Sequence, residues 1–330
     1  MTAVIVSAIA ATAPAFADPP AQPAAETKAD PTLTEIPSHH DSDIKLYHPG
    51  GTISTGRQAL AQMPHADLIL WLAGNQFFAM DAVVAAFQKQ NPTATVGLLT
   101  LPPGLLLQAI KAGGVSYDGE TVRGRPDIYA SVNLGHLREL KRAGLMSQSL
   151  VYMHNELQIM VARGNPKKVA GIDDLVRADV RTSLPNPVNE GIMQFYLRKV
   201  LERHGLWPAI AGGQECTGCQ TTANNWFTAV HHRETPQRIA AGQSDVGVVW
   251  RTEVLQALRS GAAVEAVDLP PQDSLRDEVS YAIGRLDDTP HGGAASAWLA
   301  FIASGTAQDI YRGYGFVGAS AADLTLKPIE

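Results

Sequence analysis

Around Asn75, Pro103–Gly104, Asn189–Gly191 and Arg251–Thr252, an apolar run of strand length passes through a small, polar or proline-bearing turn into a segment with helical spacing. This repeated junction is the strongest constraint in the chain. A helix start carries free backbone N–H groups and a partial positive charge, so several such starts facing one cleft form a cage for an anion or a polar ligand. The junctions therefore point to an α/β fold that binds something small.

The rhythm behind the first two junctions is regular. Asp67–Leu72 reads as a strand, followed by Phe78, Val83, Val84 and Phe87 at helical spacing until Asn91–Pro92 ends the helix. Thr95–Leu101 reads as a second strand. Pro102–Pro103 opens a helix that Gly113–Gly114 closes. Asp127–Ser131 is a third strand, Asn133 caps the next helix, and Gly144 ends it. Strands alternating with helices in this way predict a largely parallel, doubly wound sheet, whose ligands lie at the carboxyl ends of the strands.

Composition sets the outer limits. A chain of 330 residues with 45% hydrophobic and 18% charged content can bury a substantial core and has room for roughly two domains. Its net charge of −6, without a basic run, argues against nucleic acid and against acidic membrane surfaces as partners. The small apolar stretch Thr2–Ala13 followed by Ala15-Phe16-Ala17 reads as a signal peptide over residues 1–17, with the mature chain starting at Asp18. No Lys or Arg precedes the apolar run, so the natural start is expected upstream of Met1. The segment is too short to span a bilayer, and no later stretch predicts membrane insertion. Residues 18–64 read as a Pro/Ala-rich tether and N-terminal extension, disordered to about Ser38. Within the extension, His39, His40, Asp41, Asp43 and His48 form either a solvated polar loop or a metal-ligating group.

No nucleophile elbow, phosphate-binding loop, paired-histidine zinc helix or spaced cysteine quartet occurs, so the chain is read as a non-enzyme without a cofactor. The most unusual segment is Gln214–Pro236, which holds both cysteines and the run His231-His232-Arg233-Glu234-Thr235. In an oxidising compartment Cys216 and Cys219 are expected to form a disulfide. A redox pair would need a thioredoxin-like unit, and haem attachment would need His where Gln220 stands. A zinc or copper site using Cys216, Cys219, His231 and His232 stays open as the alternative.

The stretches Gly124–Ser131, Arg142–Leu145 and Leu157–Pro166, then Ile172–Leu175, Ile239–Trp250 and Ala307–Phe316, resemble in order the blocks of periplasmic molybdate-binding proteins, which are type II solute-binding proteins. The resemblance covers about Asp67 to Val317. It implies a two-lobed fold in which each lobe is a mostly parallel sheet flanked by helices. Lobe one would comprise residues 65–154 plus 265–330 and lobe two residues 155–264, with hinge crossings near Leu157–Val161 and Val264–Leu269. It also implies a monomer in the periplasm that binds a small-molecule anion by lobe closure and passes it to an ABC permease in the inner membrane. In that family hydroxyl groups hold the oxyanion. Here Asn75 takes the first hydroxyl position, Pro103 and Gly104 the second, and Trp250, followed by Arg251, the tyrosine position, while Asn189, Glu190 and Gly191 form the second-lobe turn. This set departs from one suited to molybdate. Asn75 as donor and acceptor, Trp250 as a flat face and Arg251 as a planar fork suit a small organic or phosphorylated anion. Arg233, Thr235 and His231 are further cleft candidates. Each has a plainer structural alternative: Asn75 as a helix cap, Trp250 as core, Arg251 as a solvated helix-start residue, Glu190 as a first-turn acid and Arg233 as a surface ion pair.

Overall fold

Most of the strands gather into two large mixed sheets, with Thr34–Glu35, Gly114–Tyr117 and Glu120–Arg123 in a third small one, and the computed structural model describes residues 32–330. The larger sheet runs, from edge to edge, Val317–Gly318, Gln148–His154, Ser280–Arg285, Ile128–Ser131, Leu68–Ala73, Val96–Leu101, Ile44–Tyr47 and Ile53–Thr55. Parallel pairing is confined to its centre, where Leu68–Ala73 lies between Val96–Leu101 and Ile128–Ser131. The smaller sheet runs Cys219–Gln220, Asn225–Phe227, Thr182–Leu184, Val246–Trp250, Leu157–Ala162 and Val264–Val267, again with a parallel centre and antiparallel flanks. Each of these two sheets is the core of one lobe. The chain passes from the first lobe to the second between His154 and Leu157, and returns between Val267 and Ser280.

The central strands are buried on both faces, which is why they read as unbroken apolar runs rather than alternating ones. Helix Phe77–Gln90 buries Met80, Val83, Val84 and Phe87, and the Phe87 ring packs edge-on to Trp298 of helix Gly292–Ile302. Helix Pro103–Ala112 ends at Gly113, whose φ of 81° is the left-handed closing conformation glycine favours. Asn133 caps helix Leu134–Arg142 by accepting the Gly135 N–H at 2.8 Å.

One expectation about the fold needs correction. Residues 33–36 are not tether: Thr34–Glu35 pairs in parallel with Val115–Ser116, and Leu33 and Ile36 are buried, because these apolar side chains have a sheet edge to cover. The rest of the tether before Thr32 and the signal peptide lie outside the described residues. Helix Glu234–Ala240 begins at Glu234, whose carboxylate accepts the N–H groups of Ala229, Val230 and His231, and Pro236 lies inside its first turn. Among the described residues no helix is long and apolar enough to cross a membrane.

Candidate functional site

The parallel strands of both sheets deliver their following turns to the space between the lobes. From the first lobe come Gly74–Asn75 and Pro102–Gly104, and from the second come Asn189–Gly191 and Trp250. The lobes touch here. Gly104 donates its N–H to the Asn189 carbonyl at 3.1 Å, and Tyr196 donates its hydroxyl to the Val132 carbonyl at 2.6 Å. A Cβ on Gly104 would fall 2.7 Å from the Asn189 oxygen, so this approach requires glycine.

Little space remains between these turns. The void lined by Asn75, Pro103, Gly191 and Trp250 measures about 10 Å³, room for about one water. Protein side chains fill the rest. Glu190 is buried and accepts the His232 N–H at 2.6 Å, while its second oxygen lies 2.9 Å from His232 Nδ1. On the far side of the ring, His232 Nε2 is 2.5 Å from a Glu253 carboxylate oxygen. Burial alone would push the imidazole pKa down, but these two carboxylates outweigh it and hold it up at about 10, so His232 is an imidazolium at neutral pH.

Asn75 and Trp250 form the floor. Asn75 Nδ2 donates to the Tyr281 hydroxyl, which also accepts from Asn155 at 3.2 Å. Trp250 is fully buried between Tyr196 and Tyr281. The Asn75 carbonyl oxygen and the Trp250 indole N–H are buried with no partner among the described residues. Such orphaned polar atoms cost stability, and a polar ligand is one way to satisfy them.

Arg233 closes the cleft from the second lobe. Its Nη2 donates to Asp43 Oδ1 at 2.6 Å and to the Thr100 carbonyl at 3.2 Å, and its guanidinium stacks over Phe77 at 4.1 Å. Its Nε is buried and unpartnered among the described residues. Asp43 reaches this point because strand Ile44–Tyr47 pairs antiparallel with Val96–Leu101, which sets the start of the added strand against the carboxyl end of its neighbour. His231 packs beside Gly74, where a Cβ would meet its ring at 2.8 Å. Burial and the Arg233 charge push His231 down to about 4, leaving it neutral, and its Nε2 accepts from Arg233 at 2.8 Å. Burial opposes ionisation of Asp43, yet the hydrogen bond with His40 and the Arg233 guanidinium hold its carboxyl well below the usual carboxylate range.

Beyond Arg233 the cleft widens into a cavity of about 860 Å³. Asp43, His232 and Arg233 are among its polar lining residues, and Phe77, Met160, Val249 and Ala257 among its apolar ones. Its size and mixed lining are those of a small-molecule pocket.

Asn75, Pro103, Gly104, Asn189, Glu190, Gly191, Trp250, His231, His232 and Arg233 thus meet at the cleft. Two candidates do not. Thr235 turns into the second lobe, where its hydroxyl donates to the Ser183 carbonyl at 3.4 Å. Arg251 lies at the crossing between lobes, donating to the Gly315 carbonyl at 3.2 Å and approaching Glu156 at 3.6 Å. Cys216 and Cys219 are joined in a disulfide, so they offer no thiolate to a metal beside His231 and His232. The cleft also contains residues that the sequence reading did not place there: Phe77, Thr100 and Glu253. Only Glu253 carried a local signal, as an acid three residues into the helix that follows Trp250.

A family model described as "Bacterial extracellular solute-binding protein" matches residues 68–317. No curated protein matches the sequence at a significant level. Among solved structures, the periplasmic molybdate-binding protein of Azotobacter vinelandii is similar, with a TM-score of 0.60 at 16% identity over 77% of this chain and 100% of that one. The sulfate-binding protein SubI from Mycobacterium tuberculosis gives 0.57 at 19% identity over 78% and 88%. The substrate-binding protein of an ABC transporter from Agrobacterium tumefaciens gives 0.62 at 13% identity over 84% of each chain. At these identities the likeness speaks to the fold.

Proposed function

The chain belongs to the bacterial extracellular solute-binding proteins, and from that premise we propose that it is a monomeric, non-enzymatic periplasmic receptor that delivers a small organic anion to an ABC permease. The observation that carries this reading is Arg233, a guanidinium in the cleft whose Nε has no partner among the described residues, beside a cavity of about 860 Å³. Its planar fork suits a carboxylate or a phosphate ester. In the closed form the Asp43 carboxylate takes the place such a ligand group would occupy, so the solute competes with Asp43 and the lobes part to admit it.

Size and charge argue against a bare tetrahedral oxyanion between Asn75 and Gly191. The void there is about 10 Å³, and the Glu190 carboxylate lines it. The apolar side of the larger cavity favours a ligand with a carbon skeleton.

A thermal-shift panel of carboxylates, phosphate esters, phosphonates, sulfate and molybdate tests the proposal. Ligand at a hundredfold excess over its Kd stabilises the folded state by about 2.7 kcal/mol. An organic anion is expected to raise Tm in the wild type and to lose that effect in Arg233→Gln. Stabilisation by molybdate or sulfate in place of organic anions, or an organic-anion shift that survives Arg233→Gln, overturns it.

A further inference from the structure

Two segments far apart in the chain, the turn Asp41–Asp43 and the run His231–Arg233, meet across the cleft. We propose that His40, Asp43 and His231 form a divalent transition-metal site spanning the lobes, in which the Arg233 guanidinium stands in for the cation when no metal is held. This goes beyond the anion reading and stands without it.

The donor set is assembled. His40 Nδ1, an Asp43 carboxylate oxygen and a His231 ring nitrogen all lie within 4.8 Å of one another. The 3-10 turn sets His40 and Asp43 on one side, so that His40 Nδ1 lies 2.7 Å from Asp43 Oδ2. His231 Nε2 lies 3.3 Å from the same oxygen. Two imidazoles and one carboxylate are ligands for zinc, cobalt, nickel or copper.

The position of Arg233 carries the argument further. Its Nη2 is surrounded by Asp43 Oδ1 at 2.6 Å, His231 Nε2 at 2.8 Å and the Thr100 carbonyl at 3.2 Å. Three acceptors converging on one nitrogen make a cation hole. With Nε2 accepting from Arg233, no proton lies between His231 Nε2 and Asp43 Oδ2, so two lone pairs face each other there. A metal at that point turns the repulsion into coordination. The adjoining cavity gives Arg233 room to swing out and leaves coordination positions open to water. His40 and Asp43 lie outside the stretch matched by the family model, so the site belongs to the N-terminal extension and the second lobe together.

The test is titration of the metal-free full chain with Co²⁺, followed by its electronic spectrum and by competition with Zn²⁺. One Co²⁺ per chain is expected, with visible ligand-field bands and no thiolate charge-transfer band. His40→Ala and Asp43→Asn should each weaken binding about tenfold or more. Arg233→Gln should tighten it about tenfold by removing the competing cation, and Cys216→Ser should leave it unchanged. His40 is only half-buried, so His40→Ala keeps the test readable even where Arg233→Gln fails to fold. No saturable binding, binding indifferent to His40→Ala and Asp43→Asn, or a thiolate band lost in Cys216→Ser overturns the site.

Discussion

At the scale of residues, the cations of the cleft are answered from within the chain: Arg233 by Asp43, and His232 by Glu190 and Glu253. Removing one partner of such a buried pair leaves an uncompensated charge and costs about 3–5 kcal/mol. A second buried histidine has the opposite electrostatics. His136 accepts or donates at Tyr129 and Ser131 and packs against Phe195, and burial pushes its pKa from the ordinary 6.5 down to about 4. The unfolded chain therefore takes up a proton near pH 6.5 while the native state stays neutral, and stability falls as pH drops from 6.5 towards 4, by at most roughly 3 kcal/mol. Chemical denaturation of His136→Gln across that range should show a flatter pH dependence than the wild type, and equal slopes would contradict the assignment. At this scale the sequence was only partly legible. Arg233, His231 and His232 stood out as an unusual run, and His40 and Asp43 as a polar loop, but their meeting depends on the long-range pairing of Ile44–Tyr47 with Val96–Leu101, which leaves no local pattern. Arg251 suited an anion as well as Arg233 did in chemistry, and only the position of its helix start at the crossing directs it to Gly315 and Glu156.

At the scale of elements, the parallel centre of the first sheet and its helices could be read directly, because doubly buried strands are continuous apolar runs and the caps at Gly113 and Asn133 have plain chemical signatures. The antiparallel flanks were not readable, since flanking strands such as Ile44–Tyr47 and Ile53–Thr55 are short and lie beside polar turns. In the second lobe, Cys219–Gln220 and Asn225–Phe227 form a hairpin, and Gly218 at its edge donates to the Thr228 carbonyl at 3.0 Å. The Cys216–Cys219 disulfide closes a small loop at the start of this hairpin. A loop of this size restricts the unfolded chain modestly, worth about 2 kcal/mol. Reduction, or Cys216→Ser with Cys219→Ser, should lower Tm by a few degrees and leave the anion-induced thermal shift in place. Loss of that shift on reduction would show that the hairpin shapes the cleft itself.

At the scale of the whole molecule, the two sheets were legible as two α/β units, and the inserted second lobe follows from where the chain crosses between His154 and Leu157 and between Val267 and Ser280. What the sequence did not disclose is that the N-terminal extension adds a strand to the first lobe and carries Asp43 across to the second. Closure in this chain thus rests on contacts of the family-matched region, such as Gly104 with Asn189 and Tyr196 with Val132, together with a latch from outside it. Hinge motion at the two crossings would open the cleft by parting these contacts and the packing of Trp250 on Tyr281. Small-angle scattering of the wild type, of Arg233→Gln and of the wild type with the stabilising anion measures this most directly. The account predicts a compact wild type, with and without its anion, and a larger radius of gyration when the Arg233–Asp43 latch is cut. An identical radius of gyration for the wild type and Arg233→Gln would contradict it.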